Sequence, residues 1–394
     1  MRPVTASINL QALKHNLARV KQSAPDSKVV SVIKANAYGH GILPVAEALA
    51  DSDSFAVARL DEAVTLREQG IKKKIILLEG VFSLEEFLSC IELQLIPVIQ
   101  SIEQFHCLQE CSAQNLTIAS KKYNGLLLEY WLKLDTGMHR LGLSEDDFTY
   151  LLDNNSEFFN RTNSQCILSG IMTHFACADE PDNPLNSLQL AQFEQQYRQL
   201  TKMQSVKTDG INMNPVKKSM ANSAAILTIP EAHFDWLRPG IMLYGVSPFE
   251  TSKPIRTGLD EQLMPVMTLS SQLIAVKKLK KGDCIGYGAA WCCPEDMTIG
   301  VIAIGYGDGY PRHASAGTPV LIHNTEVPLV GRVSMDMITV DLRLVEEKSI
   351  PLNIGDKAIL WGDGLPIEYV SQKSGTIAYE LLCRITQRVY FNYV

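Results

Sequence analysis

The sequence predicts an α/β protein in two parts, a (β/α)₈ barrel followed by a mostly β C-terminal domain. From the start to about residue 245, eight short apolar runs alternate with helix-length amphipathic runs, which is the count of a (β/α)₈ barrel. After about residue 260 the texture changes to β-rich runs broken by Gly, Pro, Asn and Asp, the pattern of a separate β domain. The 394 residues, of which 46% are hydrophobic, suffice for two cores at roughly 150 residues per domain. The expected division is a barrel domain over 1–250 and a β-rich domain over 251–394, joined through the Pro-, Ser- and Thr-rich SPFETSKPIRTGLDEQLMP.

The barrel strands read in order as VVSVI (29–33), FAVA (55–58), IILL (75–78), IPVI (96–99), YWLKLD (130–135), CILSGIMTHF (166–175), GINMN (210–214) and FDWLRPGI (234–241). Between them lie segments such as LDEAVTLREQG and SLEEFLSCIEL, with an early Asp or Ser, acidic residues in the first turn and helical spacing of apolar residues. The β domain reads from VMTLSSQLIAVKKLKKGDCIGYG, MTIGVIAIG, TPVLIH, VPLVG, MITVDLRL and DKAILWG, with IEYVSQKSG and IAYELLCRI helical.

Charge and composition exclude several functions. The 36 basic and 43 acidic residues give a net charge of −7 without a basic block, which argues against a nucleic-acid partner. No apolar run reaches the ~18 residues of a membrane span, and MRPVTASINL lacks the apolar core of a signal peptide. The expectation is a cytoplasmic protein. The nine cysteines form neither a zinc pattern nor a disulfide scaffold, and adjacent Cys292 and Cys293 are poorly placed to bridge each other. All nine are expected as reduced thiols. The eight histidines form no ligand motif, so no metal is expected.

The first candidate for chemistry is Lys34, which ends the dry run VVSVI and is followed by Ala-Asn-Ala and the turn-forming Gly39 and Gly41. After a first barrel strand its amine points to the mouth where ligands bind. Dry neighbours weaken an amine's hold on its proton, and a neutral lysine forms a Schiff base with an aldehyde or acts as a base. A surface lysine at a strand end is the plain alternative. LRPGI (237–241) follows the eighth strand, where these barrels bind phosphate through backbone N–H groups. In NSAA (222–225), Ser223 either donates to the same anion or caps a helix. Together these residues suggest a phosphorylated aldehyde held at both ends. IGYGDGYPR (304–312) has spaced glycines but is followed by Pro311 and Arg312 and no helix, so it is not a dinucleotide loop. GYGAAW (286–291) sets Tyr287 between glycines, where a phenol is packed, solvent-facing or catalytic.

VIKANAYGHG, KLDTGMHRLG, THFACAD, NSAA, LRPGI, IGYGAAW, GYGDGYPR, GRVSMDM and TIAYE, in this order from residue 31 to residue 380, resemble the alanine racemase family. That family consists of pyridoxal-phosphate enzymes built from a (β/α)₈ barrel and a β domain. The resemblance implies that L- and D-alanine are interconverted through an external aldimine by a two-base mechanism, supplying D-alanine for peptidoglycan. Lys34 would hold pyridoxal 5'-phosphate and exchange the α-proton on the D face. Tyr287, lent by the second subunit of a head-to-tail homodimer, would serve the L face. Tyr38, Ser223, Gly240, Ile241 and Tyr379 would surround the phosphate, and Arg238 would face the pyridine nitrogen with His174 behind it. Arg140 would lie near the cofactor's phenolic oxygen and the substrate carboxylate. Met335 would give a backbone contact to the substrate, and Tyr306, with Asp179, would narrow the entrance. In some relatives the lysine matching Lys133 is carbamylated and steadies the arginine matching Arg140. The first strand, about residues 1–8, would pack with the C-terminal domain.

Racemisation needs an electron sink and two opposed acid/base groups. A lysine and a tyrosine can serve if their ordinary pKa values of ~10 fall, by desolvation for the lysine and by a neighbouring cation such as Arg312 for the tyrosine. An arginine at the ring nitrogen stays protonated, which limits side reactions. Three positions depart from the family pattern. His139 stands where glycine is common, Gly307 where alanine is common and Ala378 where proline is common. The competing readings are a decarboxylase or broader racemase of the same architecture, and a non-catalytic cofactor-binding protein. Arg238 argues against the decarboxylase, and the β domain with Tyr287 against the binding protein.

Overall fold

In the computed structural model of the protein, the residues described are 4–117, 127–159, 166–205, 215–249 and 253–394. The chain folds as two compact units. One comprises Val20–Ala35 and Leu49–Gly240; the other comprises Met1–Arg19, Asn36–Ala48 and Ile241–Val394.

The chain opens with β1 (Thr5–Ile8) and then enters a closed, parallel, eight-stranded barrel. Its strands are β2 (Lys28–Val32), β3 (Ser54–Val57), β4 (Lys74–Leu77), β5 (Leu95–Ile99), β6 (Leu128–Lys133), β7 (Cys166–Met172), β8 (Lys217–Ser219) and β9 (Trp236–Leu237). The ring closes where Lys28 and Val29 pair with Trp236 and Leu237. Most of these strands read as largely apolar runs because helices cover the outer face and side chains fill the inner one. In β2, every residue but Lys28 is buried. The intervening helices begin as their sequences dictate. Ser83 caps Leu84–Leu93 by accepting from Glu86 N–H, and Phe87, Cys90 and Ile91 form its buried stripe.

Two strands differ from their sequence reading. GINMN (210–214) lies outside the described residues, and the seventh barrel strand is β8, whose sequence is KKS. A search for apolar runs misses it because its lysines are accommodated by partners elsewhere in the chain. Lys217 pairs with Asp235 at 3.1 Å, and Lys218 pairs with Glu194 at 2.8 Å while lying 3.9 Å over the Phe234 ring. FDWLRPGI contributes only Trp236–Leu237 as strand.

The other unit is built on an eight-stranded, largely antiparallel sheet in the order β13-β16-β15-β14-β17-β10-β1-β18, with β13 also pairing β10. After β10 (Met267–Leu279) come β11 (Cys284–Ile285), β12 (Trp291–Cys292), β13 (Met297–Ile302), β14 (Pro319–Ile322), β15 (Thr325–Val330), β16 (Ile338–Asp341), β17 (Lys357–Trp361) and β18 (Tyr390–Tyr393). The thirteen-residue β10 is long enough to pair β17 and β13 in succession, with a register shift in each pairing, as well as β1. Its first half pairs β17 and its second half pairs β13. β1 adds to the same sheet, antiparallel to β10 and parallel to β18. β11 and β12 form a separate two-stranded ribbon whose register sets Cys284 opposite Cys292, and these two form a disulfide. The expectation of nine reduced thiols is therefore corrected to seven free cysteines. Spacing alone could not reveal this pair, because only antiparallel pairing brings residues eight apart within bonding reach.

Gly170 sits inside β7 because β6 sets Trp131 directly opposite. A methyl group there would lie 2.5 Å from Trp131 Cδ2, and the indole is buried and rigid. Gly170→Ala is expected to lose about 1–3 kcal/mol by overpacking. A lower urea midpoint at unchanged m-value would report that loss, and an unchanged midpoint would contradict the packing described.

Candidate active site

Lys34 stands just beyond the end of β2, separated from it by Ile33, and is half-buried. The chain beyond it makes an unusual turn. Ala35, Asn36, Ala37 and Tyr38 all adopt left-handed φ between 51° and 54° before Gly39 and Gly41. Such a backbone costs roughly 1–2 kcal/mol per residue without glycine. Glu62, from the helix after β3, pins its start by accepting from Ala35 N–H at 2.6 Å and Ala58 N–H at 2.8 Å. Asn36 closes its end, its Oδ1 accepting from Ile42 N–H at 2.8 Å.

Other basic residues stand at or after the C-terminal ends of the barrel strands. Lys133 ends β6, Arg140 follows it, His174 follows β7 and Arg238 follows β9. Arg238 is 4% exposed, yet no carboxylate lies within ion-pair distance among the described residues. Its guanidinium donates instead to Ser219 Oγ at 2.5 Å, Thr173 O at 2.5 Å, Met220 O at 3.2 Å and His174 Nδ1 at 3.3 Å. Burial pulls its pKa down to about 9. With Arg238 donating to Nδ1, His174 is a neutral imidazole. Burial, then Arg238, Lys133, Arg140 and Lys34, hold its pKa well below the ordinary value. Lys133 is brought down to about 8, first by burial and then by Arg238, Arg140 and Lys34, with Asp135 opposing.

The loops carrying these groups are fixed by residues that carry no motif of their own. Asp135 Oδ1 collects the backbone N–H groups of Gly137, Met138 and His139 at 3.0, 3.1 and 3.0 Å, shaping the loop to exposed Arg140. His139 takes φ 53° and places Nδ1 3.1 Å from Asp135 Oδ2. Gln189, fully buried, spans the loops after β6 and β7. It donates to His174 O and Thr136 Oγ1 and accepts from Ala176 N–H. A glutamine in a long helix carries no sequence signal for that task. Ser219 belongs to β8, the strand that apolar patterning does not reveal.

Ser223 is not the helix cap that its position suggests. Asn222 caps Ser223–Thr228 by accepting from Ala225 N–H, which frees Ser223 Oγ to accept from Gly240 N–H at 2.9 Å. In the other unit, buried Tyr38 stacks on Tyr244 with centroids 4.7 Å apart and lies 6.1 Å from Tyr379. Burial raises its phenol, with the Cys383 thiol adding. Ile241 is buried nearby in sequence. Tyr287, 70% exposed, sits on the turn between β11 and β12. Tyr306 and Met335, both exposed, lie on two loops joined by Tyr306 N–H to Ser334 O at 3.1 Å and Gly307 N–H to Met335 O at 2.9 Å. Asp179 and Arg312 are exposed loop residues. The described residues hold no group of His, Cys, Asp and Glu fit for a metal.

The donor set at the barrel mouth suits a ligand bearing both phosphate and aldehyde. Among the described residues, Arg238 and Arg140 stand close enough to Lys133 for their charges to act on it, and Asp135 opposes them. The buried guanidinium of Arg238 has no carboxylate within ion-pair distance among those residues, and the primary amine of Lys34 stands beside them.

Comparison with known proteins agrees with this architecture. Residues 8–248 match the family model described as alanine racemase, N-terminal domain, and residues 266–393 match alanine racemase, C-terminal domain. The chain is 45% identical to the alanine racemase of Aeromonas hydrophila, covering 100% of both chains. It is 44% identical to that of Coxiella burnetii, covering 99% of each. The crystal structure of biosynthetic alanine racemase from Pseudomonas aeruginosa superposes with a TM-score of 0.86 at 39% identity, covering 100% of both chains. By sequence and by fold over its whole length, the chain belongs to the alanine racemase family.

Proposed function

We propose that the protein is a pyridoxal-phosphate-dependent isomerase that interconverts L- and D-alanine with Lys34 and Tyr287 as its two acid/base groups. The observation carrying this reading is the buried Arg238, which among the described residues has no carboxylate partner and is set among Lys34, Lys133, Arg140 and neutral His174. A decarboxylase of this architecture would want a carboxylate where Arg238 stands. Bound at this mouth, pyridoxal 5'-phosphate supplies an electron sink for the pair left when the substrate's α-proton departs.

The residues divide the remaining work. Lys34 holds the group through Nζ and moves a proton at the D face of the α-carbon. The phenolic oxygen of Tyr287 of the partner subunit moves one at the L face. Ser223, the Gly240 and Ile241 N–H groups, Tyr38 and Tyr379 bind the phosphate. Arg238 keeps its own proton and hydrogen-bonds the pyridine nitrogen without protonating it, while His174 and Ser219 fix its plane. Arg140 binds the phenolic oxygen and the substrate carboxylate. Met335 contacts the substrate through its backbone, and Tyr306 with Asp179 narrows the entrance. The exposure of Tyr287 at a ribbon tip supports its delivery to a second subunit in a head-to-tail homodimer. Lys133, buried with its pKa lowered to about 8, is partly neutral near neutrality, the form an amine needs to add carbon dioxide, so we include its carbamylation. A cytoplasmic location fits the lack, among the described residues, of a helix long and apolar enough to cross a membrane. The Pseudomonas aeruginosa relative is described as biosynthetic, and supply of D-alanine for peptidoglycan is the role proposed here.

Lys34→Ala, purified with the cofactor, is expected to lose the borohydride-reducible visible absorbance. Tyr287→Phe is expected to keep it and to lose ~10²–10⁴ in turnover of L-alanine, followed by chiral chromatography. Normal racemisation by the tyrosine variant would overturn the two-base assignment. Chiral product analysis with L-Ala, L-Ser, L-Lys and L-Arg distinguishes alanine racemisation from a broader specificity.

A third expectation concerns pH. Lys133 in the folded cofactor-free protein binds its proton more weakly than the ordinary 10.5 of an unfolded lysine. The penalty is therefore complete below about pH 8 and disappears as pH rises to about 10.5. In cofactor-free protein kept free of carbon dioxide, where Lys133 carries its free amine, Lys133→Met should stabilise the fold at pH 7 by up to about 3 kcal/mol, and the gain should fade between pH 8 and 10.5 in urea titrations. A gain independent of pH would contradict the electrostatic account.

A further inference from the structure

The departure at Gly307 has a structural partner. A Cβ built on Gly307 overlaps Nη1 of Arg388, far along the chain, and lies 3.0 Å from Met335 O. The guanidinium fills the space that a side chain at 307 would take. From there Arg388 reaches both loops of the exposed lip. Its Nη2 donates to Asp336 Oδ1 at 2.6 Å, and its Nε lies 3.3 Å from Asp308 Oδ1. Asp308 is itself fixed, 4% exposed, with its second oxygen accepting from Gly305 N–H at 3.0 Å. Thr386 anchors the strand end that presents Arg388. Its N–H donates to Asp308 O at 3.2 Å and its hydroxyl to Gly307 O at 3.0 Å.

Asp308 follows Tyr306 by two residues and Asp336 follows Met335 by one. Tying these two carboxylates together fixes the register of the loops that bear Tyr306 and Met335. Without Arg388 both acids would lose the cation that pairs with each of them, and the loops that bear them would lose this tie. Gly307 is what admits the guanidinium, since alanine would displace it. The displaced atom is the far end of a flexible side chain, so the fold survives the change.

We propose that Arg388 is a positioning residue that sets substrate affinity, by occupying the space above Gly307 and clamping Asp336 to Asp308 so that Tyr306 and Met335 are held at a fixed spacing. This rests on the reading of Tyr306 and Met335 as entrance and substrate contacts. Arg388 touches neither substrate nor cofactor. Its effect is on ground-state binding, and it leaves the proton transfers of Lys34 and Tyr287 unchanged.

The test uses the holoenzyme and the variants Arg388→Met, Gly307→Ala, the double variant and Arg388→Lys. Each single change to Met or Ala is expected to raise KM for L-alanine by about three- to tenfold with kcat within about twofold, the pattern of lost uniform binding. The double variant should lie close to Arg388→Met, because Gly307→Ala acts chiefly by displacing the guanidinium, the added 3.0 Å contact with Met335 O being the smaller overlap. Arg388→Lys should restore part of the loss, and added sodium chloride should raise KM in the parent more than in Arg388→Met. Hydrogen exchange of peptides covering 304–310 and 332–338, which needs no activity, should quicken in Arg388→Met and in Gly307→Ala. An unchanged KM in Arg388→Met, additive effects in the double variant, or unaltered exchange would each overturn the proposal. If the parent protein racemises no alanine, the functional reading fails by itself, and the exchange measurement still decides whether the clamp exists.

Discussion

Arg238 is a buried cation with no anion beside it among the described residues, and the barrel mouth is organised around that imbalance. Its guanidinium is held by two backbone carbonyls at the strand ends, a serine hydroxyl and an imidazole nitrogen. Those neutral acceptors orient it without cancelling its charge. Burial first, and then the same charge, keeps His174 neutral and lowers Lys133. A carboxylate in the place of Ser219 or His174 would satisfy the guanidinium and remove the electrostatic demand for an anionic ligand. The mouth is thus kept positive by the choice of neutral neighbours as much as by the number of basic residues.

A second constraint acts on Lys34. The strand β2 delivers the amine, but the left-handed run from Ala35 to Tyr38 decides where the chain goes next. A right-handed continuation would extend the helix from the strand end and carry Tyr38 elsewhere. Glu62 offsets part of the cost of the turn by accepting from Ala35 N–H at its start, and Asn36 ties the run to the segment beyond it by accepting from Ile42 N–H. Strain of this kind persists only where surrounding hydrogen bonds over-determine it, and here it lies immediately beside the lysine proposed to do the chemistry.

The C-terminal unit uses short, stiff attachments to present its loops. The Tyr287 turn is carried on a ribbon of two residues per strand, with a disulfide across its open end. The Tyr306 turn packs so closely on the backbone of Ser334 and Met335 that Gly305 leaves no space for a side chain. In both cases exposed tyrosines stand on backbone that has little freedom. That is the arrangement expected of groups that must meet a ligand in one geometry.

The fold class is legible in the amino-acid order alone, because alternating apolar runs and helix starts are local patterns that act within a few residues of where they are written. The succession of motifs likewise marks the family. Lys34 and Arg238 stand out for the same reason, each ending a run that reads as a strand. The remaining features arise only on folding. Lys217–Ser219 becomes a strand because Asp235, Glu194 and Phe234 receive its lysines, and strand register pairs Cys284 with Cys292. Packing gives the capping role to Asn222 and releases Ser223 to Gly240. It also brings Arg388 to Gly307 and Asp336. Each of these depends on groups brought together by pairing and packing, and the free energy of such contacts is written in no single stretch of chain.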